Sequence, residues 1–234
     1  MSDGPVYQKV KREMLARIQA GEWKPGEVIP GEQALSESFG CARVTVNRAL
    51  RELAEQGLVD RKRKAGTVVA QRQSRAESFS IPLVREEIES RGASYGYRLL
   101  DRRIEKPRAA IAQRLGIATG VKALHVRCLH FADGRPFQLE DRWINLDVVP
   151  VAGKEGFEEA GPNGWLVDRV PYTDAEHVLS AINAGAEEAD LLGVEPGEAL
   201  FRIDRRTWLQ SGVVTTVVLS YPGREYRLQS KGTG

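Results

Sequence analysis

Residues 29–70, IPGEQALSESFGCARVTVNRALRELAEQGLVDRKRKAGTVVA, set out two helices and a cationic hairpin in the order a reader of double-stranded DNA requires. Pro30 opens a short helix in which Leu35 and Phe39 stand four apart, and Gly40 ends it. A short connection through Gly40, Cys41 and Ala42 fits the turn of a helix-turn-helix. The helix that follows runs from Arg43 to about Gln56, with Val46, Ala49, Leu50 and Leu53 as its inward stripe. On its polar side Arg43 and Asn47 lie one turn apart, as do Val44 and Arg48, and Thr45 is close to both rows. Arginine donates two bonds to guanine, asparagine pairs with adenine, and threonine reaches a phosphate or a thymine methyl. After Gly57, two β-prone pieces flank a turn carrying Arg61, Lys62, Arg63, Lys64 and Gly66. Four consecutive cations read equally well as a solvated loop, but their place directly after a recognition helix favours a basic wing.

Upstream, Pro5 suits a first helical turn, and Tyr7, Val10, Met14 or Leu15, and Ile18 recur at helical spacing until Gly21 and Pro25. The chain has 234 residues, enough for two domains. Residues 1–75 carry 14 Lys/Arg against 9 Asp/Glu, net +5, and residues 76–234 carry 20 against 23, net −3. The positive charge thus sits with the predicted DNA reader. The polar stretch QRQSRAESFS reads as a linker, which gives a DNA-binding domain at 1–72, a linker at 73–80 and a second domain at 81–234. Cys41 and Cys128 are too few for a disulfide scaffold, and Cys41 reads as a packing or capping residue. The sequence shows neither a signal-peptide core nor an 18-residue uncharged apolar run, so the expectation is a cytoplasmic chain without a membrane partner.

In the second domain, IPLVREEIESRG reads as a helix ended by Gly92, YGYRLLDRRIEKP as a strand, and Pro107 starts a short helix through Leu115. Asp133-Gly134 sits between two alternating segments and marks a hairpin. YTDAEHVLSAIN gives a further strand, ALFRIDRRTWLQSGVVTTVVLSYPG two more joined at Ser211-Gly212, and EEADLLG is helical. Strands returning by short turns predict an antiparallel sheet with helices packed on one side, an α+β fold.

The first segment resembles the winged helix-turn-helix of the GntR family of bacterial repressors, on Ile29, Pro30, Glu32 and Leu35, then Arg43, Thr45, Val46, Ala49, Leu50, Leu53, Gly57 and Leu58, then Gly66 and Thr67. The resemblance implies DNA contacts from Gln33, Arg43, Thr45, Asn47, Arg48, Lys64, Gly66 and Thr67. Members of the family often carry arginine where Gln33 and Asn47 stand, which leaves the operator sequence open. The second domain resembles the UTRA effector domain, a chorismate-lyase-like sensor of the HutC-type branch, on Ala132, Asp133, Gly134, Pro136, Glu140 and Arg142 and on the stretch from Leu192 to Trp208. The phrases LHFADGRPFQLEDRWIN, RRTW and SYPGREYRL are similar to those of histidine-utilisation repressors in that branch, which implies urocanate as the effector.

Glu140, Arg142 and Gln138 project to one side of a strand, and Cys128 and His130 alternate on its hairpin partner. Such a set can hold a small acid, with arginine on a carboxylate and Glu140 or His130 on a ring nitrogen. Two plainer readings stand beside it: Glu140 and Arg142 as an ion pair on an exposed sheet face, and His130 as an ordinary strand residue. Many UTRA domains place arginine at position 130, and histidine there fits a change of effector. Arg102, His177, Arg224 and Tyr226 are further candidates, His177 equally a packing or surface residue. The three scattered histidines lack metal-ligand spacing, so neither metal nor cofactor is expected. These features predict a homodimeric repressor of double-stranded operator DNA controlled by a small molecule. The rivals are a repressor answering another small acid or a sugar phosphate, and an enzyme of chorismate-lyase type, for which no catalytic constellation is evident.

Overall fold

The computed structural model describes residues 6–55, 57–62, 66–70, 83–170, 174–209 and 212–227. The predicted linker at 73–80 and residues Pro5, Gln56, Arg63, Lys64, Tyr172 and Ser211 lie outside them. The chain divides into two compact units. One comprises Met1–Gln73 with Leu166–Asp174 and Trp208–Gly212; the other comprises Ser74–Trp165, Ala175–Thr207 and Val213–Gly234.

The first unit contains α1 (Val6–Gln19), α2 (Glu32–Phe39), α3 (Arg43–Glu55), β1 (Val59–Lys62) and β2 (Gly66–Val69). Met14, rather than Leu15, turns inward from α1 with Val10 and Ile18, toward a core that includes Leu35, Val46, Ala49, Leu50 and Leu53. The second helix begins at Glu32, two residues after Pro30, because Gly31 ahead of it is extended. Gly40 closes it at φ 59, a left-handed conformation that costs glycine little. There the Gly40 N–H donates to Glu37 O and the Cys41 N–H to Ser36 O, so α3 starts two residues later. In the wing Val59 faces Val69 and Lys62 faces Gly66, while Val28 bridges to Val68.

The second unit contains α4 (Val84–Ser90), β3 (Tyr95–Glu105), α5 (Ala109–Leu115), β4 (Ala123–Ala132), β5 (Arg135–Ile144), a 3-10 turn (Pro150–Lys154), α6 (Pro162–Arg169), β6 (Asp174–Asn183), α7 (Ala186–Leu192), β7 (Ala199–Leu209) and β8 (Gly212–Pro222), with end residues of α6, β6, β7 and β8 in the pieces assigned to the first unit. The sheet runs β3-β4-β5-β8-β7-β6, with β3, β4, β5 and β8 paired antiparallel. Asp133 (φ 50) and Gly134 (φ 76) form the two-residue turn read from the sequence. The turn pairs Ala132 with Arg135 and Phe131 with Pro136, a bulge at Phe137 then shifts the pairing by one residue, and the resulting register Cys128↔Glu140 and Val126↔Arg142 places these residues on one face of the sheet.

The fold is α+β, but the helices do not keep to one side of the sheet. Ile88 of α4 packs with Val217, Leu219 and Tyr221, whereas Ala189 and Leu192 of α7 pack with Leu129 and Leu139. The cause is in the strands: β8 is buried from Val214 to Val217 and from Leu219 to Tyr221, not at alternate positions. Its apolar residues fall on both faces, Val214 and Val218 on one and Val217, Leu219 and Tyr221 on the other, and such a strand needs cover on both. The 3-10 turn and α6 had no counterpart in the sequence reading.

Candidate functional site

On the first unit one carboxylate organises the polar face. Glu32, the first residue of α2, accepts from Arg43 Nε at 3.2 Å, Asn47 Nδ2 at 2.6 Å and Arg61 Nη2 at 2.7 Å. It therefore ties α2, α3 and the wing strand together. Gln33 is exposed and donates to Glu37 Oε1 at 3.3 Å. Arg48 lies 3.7 Å above the Tyr7 ring and 3.6 Å from Glu52. Thr45 and Thr67 are half-buried, and Gly66 is exposed.

Val44, which the sequence reading placed on the polar rows without a role, is 75% exposed between Ala42 and Arg43 on one side and Thr45 on the other. A branched apolar side chain there suits a thymine methyl. If this polar face meets DNA, as the sequence predicts, Glu32→Gln removes both the anchor of two arginines and a negative charge that opposes phosphates. Non-specific binding should rise and the operator-to-random preference should fall about tenfold, read by fluorescence anisotropy with both duplexes. An unchanged ratio would take Glu32 out of the recognition geometry.

On the second unit His130, Glu140 and Arg142 form a buried polar cluster, each 1% exposed. Arg142 Nε donates to Glu140 Oε1 at 2.5 Å, and its other nitrogens reach Thr215 Oγ1 at 3.4 Å and Asn163 Oδ1 at 3.1 Å. Arg205 also donates to Asn163 Oδ1. His130 Nε2 lies 3.2 Å from Glu140 Oε2 and 3.5 Å from Cys128 Sγ. Burial pushes the Glu140 carboxyl up, but the Arg142 charge and the His130 bond outweigh it and hold it below the usual range. The carboxylate is thus ionised and accepts a hydrogen from Nε2, while Nδ1 lies 2.9 Å from the Tyr95 hydroxyl. The Tyr95 hydroxyl keeps its proton, since burial first and then Cys128 push its pKa up to about 12. Tyr97 packs on the same imidazole and donates to Phe157 O at 2.7 Å. Gln138 is also buried, bonded to the Tyr221 hydroxyl.

Residues 90–227 match the UTRA domain, and residues 6–69 match the bacterial regulatory proteins of the gntR family. A histidine utilization repressor of Pseudomonas putida is 35% identical over 99% of this chain and 94% of its own length. The chain belongs to the GntR family of bacterial regulatory proteins. A histidine utilization repressor of Klebsiella aerogenes is 34% identical over 97% of this GntR-family chain and 94% of its own length. Among solved structures, the C-terminal domain of a histidine utilization repressor from Pseudomonas syringae pv. tomato str. DC3000 superposes with a TM-score of 0.57 at 33% identity, covering 60% of this chain and all of that one. PhnF from Mycobacterium smegmatis shares the fold at a TM-score of 0.60 and 23% identity, over 96% of this chain and 99% of its own.

The structure brings only part of the predicted effector set of this GntR-family chain together. Arg102 donates to the Glu155 and Gly153 carbonyls at 2.6 and 2.7 Å, holding the loop around the 3-10 turn. His177 is on β6, three strands from β5, about 14 Å at the usual strand spacing. Arg224 is exposed and pairs with Glu198 at 2.6 Å. Tyr226 is buried against Tyr221, ring centroids 3.9 Å apart. Conversely Asn163, Arg205 and Tyr95 join the cluster without having been singled out. A cavity of about 800 Å³ opens on the other face of the sheet, lined by His125, Asp141 and Trp143 among others, and none of the predicted effector residues lines it.

Proposed function

We propose that the chain is a homodimeric, cytoplasmic transcriptional repressor of histidine-utilisation genes whose hold on operator DNA is controlled by urocanate. The observation that carries this reading is the buried His130–Glu140–Arg142 cluster in a chain similar along its length to histidine utilization repressors. Urocanate offers an imidazole ring and a carboxylate. Glu140 and His130 supply partners for the ring nitrogens, and Arg142 a two-pronged partner for the carboxylate. The first unit supplies the output: α3 enters the major groove with Arg43, Val44 and Asn47 toward the bases, and Arg61 of the wing meets phosphates. Two copies read two half-sites. Urocanate acts because it binds one arrangement of the dimer better than the other.

A thermal-shift panel tests the effector. At a hundredfold excess over its dissociation constant, urocanate should stabilise the chain by about 2.7 kcal/mol, a rise of several degrees. One feature favours a second reading: Arg205 shares Asn163 with Arg142, and two guanidiniums suit a sugar phosphate. Stabilisation by a sugar phosphate with none by urocanate would replace the first reading by the second.

A further inference from the structure

We propose that Cys128, His130 and Glu140 form a site for a borderline-soft divalent cation of the zinc class. One donor atom from each lies within 4.8 Å of the other two. The separations are 3.5 Å from Cys128 Sγ to His130 Nε2 and 3.2 Å from His130 Nε2 to Glu140 Oε2. A tetrahedral zinc ion with bonds of about 2.3 Å to sulfur and about 2.0–2.1 Å to nitrogen and oxygen sets its ligands about 3.6 Å (S to N) and about 3.3 Å (N to O) apart. Two of the three separations stand at the spacing of ligands around one ion, and the third, from Cys128 Sγ to Glu140, is within 4.8 Å.

The donor set and its surroundings point the same way. Thiolate, imidazole and carboxylate together select zinc over magnesium or calcium. Tyr95 holds the His130 ring through Nδ1, which leaves Nε2 as the ligand atom. Arg142 holds Glu140 through Oε1, which leaves Oε2. Metal-binding histidines and carboxylates are commonly fixed from behind in this way. On binding, the thiol proton leaves to solvent and the imidazole hydrogen moves to Nδ1, where the Tyr95 oxygen accepts it. Cation and thiolate together then add one positive charge beside Glu140.

Three protein ligands leave a fourth tetrahedral position open. The inference rests on the effector reading of this cluster and deepens it, because an imidazole nitrogen or carboxylate of the effector can fill that position. The sequence already groups Cys128, His130 and Glu140 on two facing strands, but histidine spacing alone gave no sign of a metal, and only the strand register sets Glu140 opposite Cys128.

The full chain, stripped with a chelator, is titrated with Co²⁺ and then with Zn²⁺. One equivalent of Co²⁺ per chain should saturate a near-ultraviolet thiolate-to-cobalt charge-transfer band, with visible bands of four-coordinate intensity, and Zn²⁺ should abolish both. Cys128→Ser should lack the band and Cys41→Ser should keep it. No band in the unmodified chain, or a band that survives in Cys128→Ser, overturns the proposal, and the unmodified spectrum decides even where a variant folds poorly. Urocanate is added to the stripped chain in parallel. Stabilisation there without a cobalt band removes the metal site and keeps the effector; a Cys128-dependent band without any urocanate response, stripped or loaded, does the reverse.

Discussion

Arg142→Ala is expected to destabilise the second unit by roughly 3–5 kcal/mol, a fall in melting temperature on the order of 10 °C. Arg142 and Glu140 are each 1% exposed and 2.5 Å apart at their nearest bonded atoms. Removing the guanidinium leaves a carboxylate buried with His130 as its remaining close partner and strips a donor from Thr215 and Asn163. The loss reflects the stranded charge more than any large net worth of the pair, since buried pairs repay little beyond their own desolvation. The double variant Arg142→Met with Glu140→Gln should therefore recover most of the loss. Thermal denaturation of the three proteins checks it. A fall of under about 1 °C in the single variant would mean that water reaches the pair.

The same pair dictates a pH signature. Glu140 titrates at about 2 in the folded chain, because Arg142 and His130 overcome the upward push of burial. An unfolded glutamate titrates near 4.3. The folded value is the lower one, so the stabilisation is fully present above about pH 4.3 and is lost as the pH falls toward about 2. In Arg142→Ala burial dominates and the sign reverses. The deficit of that variant should be greatest at neutral pH and shrink in mild acid as the stranded carboxylate takes up a proton, which an acid series of melts resolves.

Where the sequence was legible, it was so for local physical reasons. The stripe Val46, Ala49, Leu50, Leu53 sits at helical spacing and is buried in α3 as that spacing requires. Asp133-Gly134 adopts the two positive φ values that make its hairpin, but the bulge at Phe137, which no turn residue announces, decides which residues of β4 and β5 share a face. Illegible parts depend on contacts between distant segments. Asn163 lies on an eight-residue helix with no marked apolar rhythm, yet it is the acceptor that joins Arg142 to Arg205. The family motif contains Glu32, but only folding shows that three donors from α3 and β1 converge on it. His177 had the right chemistry, but strand order, which periodicity does not encode, puts it three strands from β5.

Arg43→Ala should weaken operator binding about 5- to 150-fold per half-site while leaving the fold intact. Its side chain is 68% exposed, and its 3.2 Å bond to Glu32 is a surface ion pair that adds little to stability. What it offers DNA is different in kind. From the first turn of α3 a guanidinium is able to donate two parallel bonds to guanine O6 and N7, and such a contact is worth about 1–3 kcal/mol of discrimination. In a dimer on a palindrome the loss occurs twice, so the measured effect on the full operator should approach the square of the half-site effect. A salt series separates base from phosphate contact. If Arg43 reads a base, the variant loses affinity for the operator and little for random DNA, and the slope of log affinity against log salt is unchanged. If it meets only phosphate, both duplexes weaken together and the slope drops by about one per copy. Arg43→Lys sharpens the distinction, because lysine restores the charge but not the fork. Should Arg43→Ala bind its operator as the unmodified chain does, α3 is not the helix that reads the sequence.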